Sequence, residues 1–247
     1  MRHLAEDSVI FRQGPINARR EYLQMDPKFT MDRLIESRAH YFDFSRAGDM
    51  ALTAGPYRTS QRTQEDQQRG HGYFVSIWHQ TGKTWELMVD IAITVPGVLS
   101  LDVVPSLEET NRAFDESPNT NQIRNASFGA VADTEARFIE AINYRGGRRA
   151  LLSFGLENQR IYVPGMAPAI GREAGAMAYG NFLDDSLSMD LLQHEQMGGF
   201  LSASGEMAYT YGTMNSGSTR FRTNYLRLWR YTNDEEWKVA VEVLKPF

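Results

Sequence analysis

The chain has 247 residues, no cysteine, and a formal charge of −5 at pH 7. Disulfides, thiol nucleophiles and thiolate metal sites are therefore excluded, and the acidic balance gives no general attraction to nucleic acid or to anionic membranes. Hydrophobic residues make up 42% and charged residues 23%, a globular mix, and no apolar run reaches the ~18 residues of a membrane span.

In chain order, the opening MRHLAEDSVIF has no apolar core of signal-peptide length. Ser8–Gln13 reads as a strand, Gly14-Pro15 as a turn and Ile16–Met25 as a short helix. Leu34–Phe44 reads as one long strand with His40, Phe42 and Phe44 on a common face. After a turn at Ala47-Gly48-Asp49 comes a strand at Met50–Tyr57, and the polar stretch Ser60–Gly70 is expected to be an exposed loop. Strands Tyr73–Gln80 and Thr84–Thr94 flank a tight hairpin at Thr81-Gly82-Lys83. Val98–Val131 reads as an irregular connection with one helical turn near Leu107–Phe114. Asp133 is then the expected cap of a helix through Phe138 and Ile142, continued at Ala150–Phe154 beyond Gly146-Gly147. A strand at Gln159–Val163, a helix at Pro168–Tyr179 and a long strand at Ser186–Ser202, bulged at Gly198-Gly199, complete the reading before the last three strands.

Those last strands repeat an earlier stretch. Gly48-Asp49-Met50-Ala51 returns as Gly205-Glu206-Met207-Ala208, Thr53/Gly55 as Thr210/Gly212, and Trp78 as Trp229. Trp85 with Asp90 returns as Trp237 with Glu242. Repeated units of this length are the first feature to settle in assigning a fold. They predict an α+β protein of two domains, each a curved antiparallel sheet wrapped on helices: 1–97 as a first repeat lacking its first helix, 98–130 as a linker, and 131–247 as a second, complete repeat. The strands Tyr73–His79 and Asn224–Arg230 are apolar on both faces. One face is expected to cover the unit's own helices. The other, carrying Phe74 and Trp78 in the first repeat and Tyr225 and Trp229 in the second, is expected to pack between repeats as an intramolecular pseudo-dimer, with a homodimer as the alternative.

The order of elements, with Gly-Asp-Met-Ala-x-Thr-x-Gly, an aromatic strand ending in Trp and a closing Trp-x-x-x-x-Asp strand, resembles the nuclear transport factor 2-like superfamily, which includes ketosteroid isomerase and SnoaL-like cyclases. The segments Leu4–Val9, Arg12–Pro15 and Gly165–Arg172 add a likeness to the type-4440 domain of unknown function in tandem form. The resemblance implies a cystatin-like cone in each repeat, with a pocket inside it where active members place acid/base residues. It also implies a helix, and in exported relatives a signal peptide, upstream of Met1, so localisation stays open. With that helix missing, the linker at Leu99–Phe114 is the expected cover of the first cone.

Candidate chemistry is sparse. Strict alternation puts Trp85, Leu87, Val89 and Ile91 on one face and Asp90 on the other, and likewise separates Glu242 from Trp237, Val239, Val241 and Val243. Both acids are thus expected to point away from the cones, toward an arginine such as Arg227 or the inter-repeat interface, in a structural role. His40 is the candidate acid/base of the first cone, and Tyr162, Tyr209, Tyr211 and Asn224 are the expected ligand-pocket residues of the second. No histidine has metal-ligand spacing, and no P-loop, dinucleotide fingerprint or nucleophile elbow occurs, so neither metal nor cofactor is expected. The expected function is non-catalytic, at most the binding of a small apolar ligand in a cone. An acid/base enzyme working in the second cone is the first alternative, and a structural interaction module the second.

Overall fold

Each half of the chain builds one sheet from the same succession of strands. The computed structural model describes residues 3–25, 33–61, 64–97, 101, 127–187, 190–217 and 221–247. The first sheet comprises β1 (Leu4–Arg12), β2 (Gly14–Asn17), β3 (Arg33–Ser37), β4 (Tyr41–Phe44), β5 (Met50–Gln61), β6 (Gln64–Thr81) and β7 (Thr84–Val95), with α1 (Ala18–Gln24) after β2. Its order is β2-β1-β7-β6-β5-β3, and β4 also pairs with β5. The second half has α2 (Phe128–Arg145), α3 (Gly147–Phe154), β8 (Gly155–Tyr162), β9 (Ala169–Ile170), α4 (Arg172–Leu187), β10 (Leu192–Leu201), β11 (Met207–Ser216), β12 (Arg222–Tyr231) and β13 (Trp237–Pro246). Its order, β10-β11-β12-β13-β8-β9, matches the first. In each sheet an antiparallel meander ends on a parallel neighbour, β1 beside β7 and β8 beside β13. The class is α+β with two curved sheets, and the chain divides into two compact units accordingly.

The two units agree in detail. In the turns before β5 and β11, Ser45 N–H donates to Met50 O at 2.9 Å and Ser202 N–H to Met207 O at 2.8 Å. Gly48 (φ 70°) and Gly205 (φ 76°) supply the left-handed residue that closes each turn. Gly55 and Gly212 sit where a Cβ would lie 1.9 Å from Arg38 O and Glu195 O respectively, so only glycine admits the neighbouring strand. Each closing strand carries a bulge, at Met88 between the Ile77–Val89 and Trp78–Leu87 pairs and at Ala240 between the Leu228–Val241 and Trp229–Val239 pairs.

Several expectations are corrected. Leu34–Phe44 is two strands, because the chain steps out of register between Ser37 (opposite Tyr57) and Tyr41 (opposite Ala54). Ser60–Gly70 is largely strand, since β5 runs to Gln61 and β6 starts at Gln64; polar side chains leave the backbone ladder free to continue. Ser127, not Asp133, caps α2, its Oγ accepting from Ala130 N–H at 3.1 Å, so the helix begins inside the stretch read as linker. The expected turn at Leu107–Phe114 and the expected cover at 99–114 fall almost wholly outside the described residues.

Helix α2 buries Val131, Thr134, Glu135, Phe138, Ile139 and Ile142, a single stripe at helical spacing. It meets the core formed by Ala150, Leu151, Tyr179, Leu183, Met214, Tyr225, Trp229 and Leu244. Asn143 fixes the far end of the helix to β10: its side chain accepts from Leu192 N–H at 2.7 Å and donates to Leu192 O at 3.1 Å. No helix among the described residues is long and apolar enough to cross a membrane.

Candidate functional site: a buried arginine between two glutamates

One row of residues crosses the second sheet beneath α2: Gly199, Thr210, Arg227, Glu242 and Ile161, paired in that order. Gly199 is needed at the end of the row, where a Cβ would lie 2.3 Å from Tyr209 O and 2.7 Å from the Phe128 ring of α2. Arg227 and Glu242 are fully buried, and so is Glu135, which the α2 stripe lowers onto the same row.

The arginine is held from two sides. Its Nε and Nη2 donate to the two oxygens of Glu242, the latter at 2.7 Å, and its Nη1 donates to Glu135 Oε1 at 2.6 Å. This is the fork geometry that makes Arg–carboxylate pairs strong. The guanidinium carbon lies 4.7, 4.8 and 5.5 Å from the ring centres of Phe138, Tyr225 and Trp229, an aromatic enclosure for the cation. Thr210 links the groups, donating to Glu135 Oε1 at 2.7 Å and accepting from Trp229 Nε1 at 3.0 Å. At the edge, His194 Nε2 stands 3.6 Å from Glu135 Oε2, and its side chain retains 18% exposure.

Charge follows from this geometry. Burial is the largest influence on Glu242 and pushes its carboxyl up to about 7, against the pull of Arg227 and with the help of the Glu135 charge. Burial acts on Glu135 in the same sense, but His194, Arg227 and Thr210 outweigh it and hold that carboxyl below its ordinary value. Burial also opposes the charge on Arg227, yet the two glutamates hold it more firmly protonated than usual. Tyr179 and Tyr225 are kept neutral, burial pushing both hydroxyls well up.

Strict alternation holds only as far as the bulge: Trp237 and Val239 face the cone as expected, whereas Val241 and Val243 give that face up to Glu242. Glu242 points into the cone, because the bulge at Ala240 shifts the phase of β13: Trp237 and Val239 face inward, and beyond the bulge so do Glu242 and Leu244. Asp90 takes the corresponding place past Met88, accepting from Ser76 Oγ at 2.7 Å. Tyr225 and Trp229, expected to face the other repeat, lie in the core of their own unit beneath Phe138. The expected pairing of Glu242 with Arg227 is present.

Tyr209 and Tyr211 flank Thr210 and therefore lie on the opposite face, their rings 6.4 Å apart and opposed to Leu228 and Leu226. Asn224 shares that face, its amide donating to Lys245 O at 3.3 Å, and Tyr162 lies between the inward Ile161 and Val163. His40, in the first unit, occupies the break between β3 and β4, its N–H donating to Ala54 O at 2.8 Å. The four residues expected to line the second cone, Tyr162, Tyr209, Tyr211 and Asn224, thus lie on the face of the sheet opposite Thr210 and Arg227. Those the cone does gather, Glu135, His194, Thr210 and Arg227, carried one sequence signal: a glutamate inside the apolar stripe of a helix. A depression of about 410 Å³ opens at the rim of this unit, lined by Arg137, Phe154, Tyr231, Glu236, Trp237 and Lys238 among others. Lys238 is tied there to Ser153 O at 2.9 Å and Glu236 at 2.7 Å.

No family model and no curated protein matches the chain. Solved structures do match. A ketosteroid isomerase-like protein from Erwinia carotovora atroseptica is 16% identical with a TM-score of 0.42, covering 50% of this chain and 98% of its own. A domain of unknown function with a cystatin-like fold from Nostoc punctiforme is 13% identical with a TM-score of 0.39, covering 49% of this chain and 79% of its own. ActVI-ORFA from Streptomyces coelicolor is 11% identical with a TM-score of 0.38, covering 48% of this chain and 96% of its own.

Proposed function

We propose that this is a non-catalytic small-ligand-binding protein in which the second unit is a closed, supporting cone. One observation carries the reading: the titratable groups of that cone converge on one another and on three aromatic rings, with Arg227, Glu135 and Glu242 fully buried. An acid/base catalyst needs its base within hydrogen-bond reach of a bound substrate's proton. Here the carboxylates are spent on the guanidinium. The predicted outcome is that the protein does not turn over a Δ5-3-ketosteroid, the simple substrate for proton transfer beside a carbonyl.

A second reading, acid/base chemistry in the second cone, has one observation in its favour. Glu135 Oε2 and His194 Nε2 face each other at 3.6 Å, and neither makes another hydrogen bond. The same assay separates the two readings: turnover that disappears in Glu135→Gln or His194→Gln, with near-ultraviolet circular dichroism unchanged, would establish catalysis and discard the first reading.

A further inference from the structure

The depression of about 410 Å³ at the rim of the second unit is separate from the buried arginine cluster, since none of Glu135, Arg227 and Glu242 lines it. Its volume is in the range of sites for small organic molecules. The first half of α2, the end of α3 and the turn from β12 into β13 enclose it. Its apolar wall is aromatic. Trp237 is 5% exposed, with the Tyr231 ring 5.2 Å away, and Phe154 is anchored on Phe138 at 5.3 Å. The Trp237 indole N–H is buried without an acceptor, a rare state for a donor in a folded chain.

The charged side chains of the depression are of both signs. Lys238 and Glu236 answer each other at 2.7 Å. Lys238 holds the Glu236 carboxyl below its ordinary value, and Arg137 adds to this from the helix, so helix and turn act on one another across the depression. Arg137 itself is pinned to α2, its Nη2 donating to Thr134 Oγ1 at 2.9 Å and its Nε to Asp133 O at 3.4 Å, and it makes no ion pair among the described residues. The carboxylates of Asp133 and Glu235 likewise have no hydrogen-bond or ion-pair partner among the described residues. Glu235 holds φ 61°, so the turn carries a carboxylate at a position where glycine would cost less. A simple carboxylate ligand would meet Arg137 but also two acids, and a simple amine would meet the acids but also Arg137. A zwitterion satisfies both signs.

We propose that this depression binds a free α-amino acid with an aromatic side chain, its carboxylate on Arg137, its ammonium at Glu235 and its ring against the aromatic wall. An arginine fork favours a carboxylate, and ring on ring adds to plain burial. Asp133 adds to the negative field on the ammonium. The inference rests on the reading of the protein as a small-ligand binder and names the class of ligand.

The test is isothermal titration of the full chain with L-phenylalanine, 3-phenylpropionate, which lacks the ammonium, and 2-phenylethylamine, which lacks the carboxylate. L-phenylalanine should bind at least about fivefold more tightly than either, the size of one charge-assisted contact at a partly exposed site. Arg137→Gln should remove its advantage over 2-phenylethylamine, and Glu235→Gln its advantage over 3-phenylpropionate. Both side chains are exposed, so near-ultraviolet circular dichroism should stay that of the parent. Either singly charged compound binding as tightly as L-phenylalanine, or an advantage that survives its substitution, overturns the amino-acid site and leaves the small-ligand reading standing. Absence of binding by all three overturns the site and the ligand reading together; the non-catalytic part of that reading is decided separately by the ketosteroid assay.

Discussion

Replacing Arg227 with Met would leave Glu135 and Glu242 buried side by side without their cation. Breaking a buried pair on one side costs about 3–5 kcal/mol, because the remaining charge has no solvent to return to. Urea unfolding followed by near-ultraviolet circular dichroism should show a loss of that size. Replacing all three residues, Arg227→Met with Glu135→Leu and Glu242→Leu, should recover most of it, since apolar groups of similar volume satisfy the same space without desolvating charge. A triple variant as unstable as the single one would mean that the aromatic enclosure depends on the guanidinium itself. In the first unit a serine stands at the arginine's place in the row, and its hydroxyl donates to Asp90 at 2.7 Å.

At the scale of elements, the glycines of the fold have opposite consequences. Gly55 and Gly212 let one strand cross its neighbour where a Cβ would meet a carbonyl oxygen at 1.9 Å, so alanine at either position must displace backbone. Each substitution should cost at least about 2 kcal/mol, as overpacking of a fixed site does. Gly129 is exposed in the first turn of α2, with its nearest neighbour at 3.6 Å, and alanine there should stabilise by about 0.5–1 kcal/mol. Thermal melting of the three variants checks both signs at once. The repeat, its turns and its paired tryptophans were legible in the sequence because they depend on residue type at fixed spacing. The faces were not. Strand β13 is buried on both sides over most of its length, so alternation gives two equivalent phases, and only the bulge at Ala240 reveals which one carries Glu242 inward. Nothing in the local sequence marks a one-residue bulge among Val, Ala and Val. Glu135 was the available clue, since a charged side chain in a buried helical stripe needs a partner across the core.

For the molecule as a whole, the buried cluster writes its charge into the dependence of stability on pH. Glu242 titrates near 4.5 when unperturbed and at about 7 in the folded chain, so the native state holds that proton more tightly. The stabilisation this gives is complete below the unfolded value and is lost as pH rises toward 7. Glu135 works in the opposite sense: its carboxyl is lowered on folding, so its contribution is present above the unfolded value and disappears as pH falls through the folded one. Between roughly pH 5 and pH 8 Glu242 is the member of the cluster that titrates, and it should lower stability by about 1–3 kcal/mol; His79 of the first unit, whose imidazole burial holds below its ordinary value, opposes it by the smaller amount expected of a half-buried group. Urea midpoints measured across that range should therefore fall with rising pH. Glu242→Gln removes the titrating group and should flatten the slope, whatever its effect on absolute stability. A slope that persists in Glu242→Gln would overturn the assignment of that proton to Glu242.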